Sequence, residues 1–423
     1  MPLSSGRRQA AVMFIFVTVV IDVLSLGIVI PVLPRLVEQF MGGNTALAAK
    51  MLGVFGTAWA LMQFIFSPLL GVLSDRYGRR AVILISCSGL ALDYFLMAMA
   101  PSIAWLFVGR VLSGICAASF STGFAYVADV TPPEQRAAKM GLIGAAFGLG
   151  FVVGPAFGGI LGHSNPRLPF WVAGALALVN AGYGFFVLPE SLPLDKRAPF
   201  SWRRANPLGS LKLLRSHPEL LGLASVTLLI NLAHVVLPAI TVLYMSYRYH
   251  FSTDVVGYTL AGVGVCSLIV QGGLVRPVVA RLGERKAMAI GLFFGAVGFA
   301  IYCFATTAWL FWIAVPVMSI WGLAGPSIQG LMTRRVSASE QGQLQGANAS
   351  ITGIAGMIGP GLFTGIFAAC IAHPQWQAPG AAYLVAAGLL LAAMMLGWRV
   401  TRSAPKRDAP APEVVSEPLT HPR

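Results

Sequence analysis

Three ionisable residues stand where the sequence is otherwise apolar: Asp22, Asp93 and Arg110. If those stretches cross a bilayer as helices, Asp22 lies about 20 Å and Asp93 about 18 Å into its segment, near mid-membrane. A charge at that depth costs at least ~2.5–3.5 kcal/mol, so each group needs a reason to be there. A carboxyl can shed its charge by taking up a proton. One that protonates while open to one side, and releases while open to the other, is what a proton carrier requires. The competing explanation is a structural carboxyl bonded to Arg110 or to a helix backbone. Arg110 either tunes Asp22 or Asp93 by proximity or locks two helices together. A looser set, Gln63, Tyr94, Asn231, His234, Gln329 and Asn348, supplies polar groups for a central cavity, although each alone also serves as a helix–helix hydrogen bond. His234 stands out because imidazole ordinarily titrates near neutrality.

A second concentration of charge lies outside the apolar runs. The stretch GVLSDRYGRR, 71–80, holds Asp75, Arg76, Arg79 and Arg80 between neighbours that carry no charge. Gly71 permits a close helix approach and Gly78 a tight reversal, while Asp75 is placed to meet a helix N-terminus or an arginine. The plainer reading is a set of cationic anchors at a membrane surface.

The elements that must position these residues are long helices. Hydrophobic residues make up 57% of the 423, and charged ones 10%, against about 25% in a soluble domain. Apolar runs fall at roughly 11–34, 50–73, 81–99, 103–127, 138–162, 168–188, 219–244, 255–277, 287–305, 309–332, 343–371 and 380–400, each long enough to span the hydrocarbon. The expected fold class is an all-α membrane protein of twelve transmembrane helices. Continuous apolar runs exclude a β-barrel. The first run contains Asp22 and lacks a small-residue cleavage site, so it reads as an uncleaved helix and not a signal peptide. Of the 29 basic residues, twenty-four fall on the side that holds the N-terminus, and four (Arg35, Lys50, Arg167 and Arg248) on the other. Arg110 lies within a span. This bias puts both termini in the cytoplasm and accounts for the net charge of +14 without nucleic acid. Five scattered cysteines offer neither metal-ligand spacing nor a disulfide framework.

The chain repeats itself. RYGRRAV at 76–82 resembles RLGERKA at 281–287, an offset of 205. The Glu-Gln pairs of VTPPEQRAAKMG and VSASEQGQLQG lie 206 apart, and Gly154-Pro155 falls on Gly359-Pro360 at 205. Six helices were duplicated, which divides the chain into a bundle at 1–188, a linker at 189–218, a second bundle at 219–400 and a polar, disordered tail at 401–423. Two such halves are the plan of a rocking carrier with its site near the midplane between them.

GVLSDRYGRR resembles the helix 2–3 signature of the major facilitator superfamily. That resemblance makes the turn a cytoplasmic gate, with Asp75 docking on a helix of the second half and Arg79 near an acidic residue matched here by Asp129. GRVLSGI, 109–115, is similar to the helix 4 motif of proton-coupled members. GLGFVVGPAFGG, with Gly150, Gly154, Pro155, Gly158 and Gly159, resembles the helix 5 motif of drug/proton antiporters. The same glycines equally give an ordinary close-packing face. LGIVIPVLPRL, ALMQFIFSPLLGVLSDRYGRR, LDYFLMA and GQLQGANASITGIAGMIGPGLFT look like the tetracycline/proton antiporter branch, a resemblance running over about 11–400. It implies that Asp22 and Asp93 are required for coupling, that both sit in a cleft facing each compartment in turn, and that a divalent metal crosses as part of the cargo, not as a cofactor.

The second half departs from that branch. Cys266 and Gly295 stand where the tetracycline pumps carry a histidine and an aspartate, and Asn231 and Val235 where glutamines are expected. Either His234 replaces the lost titratable group or the substrate differs. The reading that results is a monomeric, proton-coupled exporter of an amphipathic, tetracycline-like drug in the bacterial inner membrane. It has no enzymatic chemistry, no bound cofactor and no nucleic-acid partner. A proton-coupled uptake carrier for a metabolite, or a non-transporting receptor of the same fold, are the alternatives.

Overall fold

The computed structural model describes residues 5–402 apart from 118, 133–134, 203–205, 216–217, 338–339 and 377. The tail expected at 401–423 lies outside the described residues from 403 onward, as do Glu134 and Arg203–Arg204.

The described chain is helical, with no strand among its described residues. The first half holds α1 (Ser5–Val29), a short α2 (Leu33–Phe40), α3 (Thr45–Tyr77), α4 (Arg79–Ala98), α5 (Ile103–Cys116), α6 (Ser119–Val130), α7 (Arg136–Ser164) and α8 (Leu168–Val187). The connector carries the short α9 (Lys212–Arg215), whose Leu213 and Leu214 are buried. The second half follows with α10 (Pro218–Tyr249), α11 (Thr253–Ile269), α12 (Val275–Phe304), α13 (Ala308–Ser319), α14 (Ala324–Thr333), α15 (Gln341–Ala372) and α16 (Ala381–Val400).

These helices are apolar on every side, because they face a bundle interior on one flank and lipid on the other. Ile85, Phe186 and Phe304 are large, exposed and without a polar neighbour to need, which suits an outer surface in hydrocarbon. Among the described residues, eleven helices are long and apolar enough to cross a membrane. One of them, Thr253–Phe304, runs for 52 residues and takes in two of the expected spans. At 1.5 Å per residue it would reach about 78 Å if straight, more than twice the hydrocarbon thickness. It is not straight: a π-helical turn occupies Val270–Leu274, and Gly283 leaves helical geometry at φ 75°. The reversal there is so short that helical bonding resumes on both sides of it.

Helix packing runs both within and between the two repeats. Within the first, α1 lies against α7 and α8, and α4 against α5 and α8; within the second, α10 lies against α15 and α16, and α12 against α13, α14 and α16. The halves meet along α3 with α15 and along α7 with α11. Small residues let these backbones approach closely. A Cβ at Gly56 would lie 2.8 Å from Pro360, and one at Gly159 would lie 2.9 Å from the Cα of Gly257. Thr57 donates to the carbonyl of Met357 at 3.1 Å across the same seam. At this end Arg35 also donates to Thr253, and His163 meets Asp254 at 2.9 Å. The halves are therefore closed at the end remote from the connector.

Positions 205 apart behave alike. Gly78 and Gly283 both take positive φ, 104° and 75°, where a side chain would be strained. Arg79 reaches Asp129 at 3.1 Å, and the equivalent positions, Glu284 and Arg334, pair at 3.0 Å with the charges exchanged. Arg80 and Arg285 each donate to a carbonyl near the end of a neighbouring helix, Phe185 and Trp398 respectively, and lie over that residue's ring.

Candidate functional site

Between the halves, at the end that carries the connector, opens a cavity of about 740 Å³. Four helices build it from stripes of residues three or four apart. From the first half, α3 presents Trp59, Gln63, Ser67 and Gly71, and α6 presents Ser121, Thr122 and Ala125. From the second, α10 presents Asn231, His234 and Val235, while α15 presents Ser350, Thr352 and Gly353. Ser74, Arg79, Asn206 and Pro207 stand at its mouth. Three of the six expected cavity residues, Gln63, Asn231 and His234, line it. His234 is exposed to the space, with its ring 5.6 Å from that of Trp321. Thr352 and Asn231 are joined by a 3.4 Å hydrogen bond.

The other three do not line it. Tyr94 is buried in the first half's core, because its position on α4 turns it toward Leu90, Met97 and Phe170. Asn348 donates to Gln329 at 3.0 Å, so these two tie α15 to α14 instead of facing the cavity. Neither Asp22 nor Asp93 reaches the cavity wall, which corrects the expectation that both sit in the cleft. Asp22 is buried against α8 and α4, accepting from Asn180 at 2.8 Å, with the Cys87 thiol at 3.7 Å. Asp93 is fully buried between α4 and α5, and Arg110 is its ion-pair partner at 3.6 Å. Ser113 on α5 also stands beside the Asp93 carboxyl. Of the alternatives for Arg110, the structure pairs it with Asp93 and not with Asp22.

The 71–80 turn is held from three directions. Arg79 bonds Asp75 at 2.6 Å and Asp129 at 3.1 Å, as expected for Asp129. Asp75 does not dock on the second half. The cavity mouth separates the halves there, and the carboxylate turns instead to Arg79 at the start of α4. For the same reason Gly71 makes no close approach, since a Cβ at that position would meet nothing within 4 Å. Gly78 performs its reversal, and Arg76 is exposed over the Tyr77 ring. A residue that sequence reasoning missed completes the turn. Glu190 accepts from the backbone N–H groups of Arg79 at 2.9 Å and Arg80 at 3.3 Å, capping the N-terminus of α4 from the connector.

The helix 5 motif divides its glycines between two neighbours. Gly150, Gly154 and Gly158 receive α1 at Val23, Gly27 and Ile28, whereas Gly159 receives α11 of the other half at Thr253 and Gly257. Pro155 lies inside α7, and its carbonyl is part of the surface that Gly257 approaches. Of the two substituted positions in the second half, Cys266 lines a separate groove with Trp312, and Gly295 is filled by Leu390 and Trp321.

The profile of the Major Facilitator Superfamily matches residues 15–360, with a second, overlapping match over 277–421. The chain belongs to the Major Facilitator Superfamily. It is accordingly a multi-pass membrane transporter and not an enzyme. Relatives include the class C tetracycline resistance protein of Escherichia coli, 35% identical over 385 residues, which cover 91% of this chain and 96% of that one. The class H tetracycline resistance protein of Pasteurella multocida is 30% identical over 412 residues, 96% of this chain and 99% of that one. Among solved structures, the human organic anion transporter MFSD10 (TETRAN) superposes with a TM-score of 0.70 at 25% identity, covering 92% and 99%. A bacterial homologue of the human lysosomal transporter Spinster, in an inward-facing and occupied conformation, shares the fold at a TM-score of 0.74 and 15% identity, covering 97% and 100%. In this Major Facilitator Superfamily chain the cavity between the halves is the candidate substrate path, and the buried carboxyls of the first half are the candidate coupling groups.

Proposed function

We propose that this transporter is a proton-driven exporter of amphipathic small molecules, tetracycline-like in size and character, acting as a monomer in the bacterial inner membrane. Twelve spans in two six-helix bundles, with both termini cytoplasmic, underlie the reading; the break at Gly283 inside the 52-residue run supports the count, and the basic bias supports the orientation. The observation that carries it is the cavity itself: walled by both halves, open at the connector end and closed at the other. That is one endpoint of an alternating-access cycle, with cargo loading from the cytoplasm.

Asp22 and Asp93 lie buried inside the bundle that supplies α3 and α6 to this path. Protonation of Asp93 removes one charge of its pair with Arg110 and frees the contact between α4 and α5. A proton crossing a 100 mV potential contributes ~2.3 kcal/mol per cycle, with any pH gradient added. The tetracycline resistance relatives support the cargo class.

The test is expression in a pump-deficient bacterium, scored for growth across antibiotics of several classes, with proton movement followed in inverted membrane vesicles. The expected result is protection against at least one amphipathic drug, together with drug-induced proton release from acidified vesicles. Protection without proton movement would contradict the coupling, and nutrient accumulation without drug export would favour uptake.

A further inference from the structure

The exporter reading leaves open what chemical form the cargo takes, and the inference below rests on that reading. Among the described residues lining the cavity, Arg79 is the one charged side chain, and it is already paired with Asp75 and Asp129 at the mouth. The interior is neutral and mostly apolar, with a few hydrogen-bonding groups set into it: Gln63, Thr122, Asn231 and His234, with the indole of Trp59 beside them. The indole N–H of Trp59 and the hydroxyl of the buried Thr122 have no protein partner. Buried donors of this kind are satisfied by an acceptor.

A cationic metal chelate does not fit such a lining. Divalent cations take oxygen ligands, with carboxylates foremost. Among the described residues no three His, Cys, Asp or Glu side chains gather to hold a metal. A positively charged complex entering this space would lose water with no anion to face it. Asp22 and Asp93 cannot serve, because both are enclosed within the first bundle away from the lining.

We propose that the cavity carries its cargo without metal, as an amphipath of zero net charge that presents hydrogen-bond acceptors to Trp59 and Thr122. This differs from the metal-drug complex that the resemblance to tetracycline pumps implies. Charge balance then follows. A cycle that admits one proton and expels a neutral molecule moves one positive charge inward, whereas exchange of a singly charged cation for a proton moves none.

Equilibrium binding to the purified full chain in detergent tests the proposal without any gradient. The probes are labelled tetracycline in EDTA, the same drug with excess Mg²⁺, and chloramphenicol, an uncharged amphipath. Saturable binding of at least one metal-free probe is expected, and Mg²⁺ should not tighten it. Thr122→Val, close in shape to the parent residue, and Trp59→Phe should each weaken that binding by roughly fivefold, the loss of one hydrogen bond. Binding that appears only with Mg²⁺, or no binding of either metal-free probe, overturns the proposal; so does unchanged affinity in both variants. In proteoliposomes, a potassium diffusion potential at equal pH should drive movement of the probe that binds. Metal-free binding with no gradient-driven movement would sink the exporter reading and leave the cargo assignment standing. Proton-driven movement that requires Mg²⁺ would do the reverse.

Discussion

Asp93 faces Arg110 across 3.6 Å with its side chain fully buried, so the pair rests largely on charge attraction away from the surface. Removing one partner leaves the other charge buried alone, at a cost of about 3–5 kcal/mol. Asp93→Asn should therefore abolish proton-coupled exchange and also lower thermal stability, while the protein still inserts. Adding Arg110→Gln to that variant should restore most of the stability and none of the exchange. Paired melting and vesicle transport measurements separate the two effects, and exchange at the parent rate in Asp93→Asn would show that the carboxyl is structural. At this scale the sequence was informative about which residues are buried and silent about their partners. Three charged residues in apolar runs are visible as anomalies. That Arg110 meets Asp93, whereas Asp22 is satisfied by Asn180, depends on how α1, α4, α5 and α8 are rotated about their axes. Those rotations are set by packing across the bundle, and no local spacing records them.

The helices α7 and α11 show what a single small residue does for an element. A Cβ at Gly159 would meet the carbonyl of Thr253 at 2.7 Å and the backbone of Gly257 at 2.9 Å. A leucine there cannot be absorbed by a flexible neighbour, because what it strikes is main chain. Gly159→Leu should hold the halves apart at the end remote from the connector and cut transport more than tenfold, an estimate that follows from overpacking of ~1–3 kcal/mol. A cysteine placed at Thr57, on the other seam at that end, should then react faster with a maleimide added from outside. Normal transport with unchanged labelling would mean that this contact is not needed for closure. The stripe Trp59, Gln63, Ser67 and Gly71 along α3 was legible in principle, since its spacing of four puts all of these residues on one face. No motif marks it, because Trp59 and Ser67 are uncharged residues within a long apolar run. Glu190 was missed for a different reason: it lies 111 positions from the amide that it caps, and only the folded connector brings it there.

Taken as a whole, the molecule is caught with one end shut and the other open, and that state explains the position of Asp75. Its carboxylate bonds Arg79 on its own turn while the mouth stands open. Closing the mouth would carry the turn toward the second half, where the resemblance places its docking partner. Asp75→Asn should then slow turnover while leaving equilibrium drug binding in detergent unchanged; loss of binding with normal cycling would contradict a gating role. The helical plan and the presence of a cavity between the halves were largely readable from run lengths and the 205-residue offset. The conformation was not, because both endpoints of a rocking cycle satisfy the same pattern of apolar residues. The two turns at that face also hold equivalent bridges of reversed sign, Arg79 to Asp129 and Glu284 to Arg334. A lone substitution at any of the four positions leaves either like ions opposed or an ion unmatched, so the reversal required a matched pair of changes or a neutral step between them. Asymmetry of this kind gives the descendants of a doubled gene separate latches, each open to adjustment without disturbing its twin.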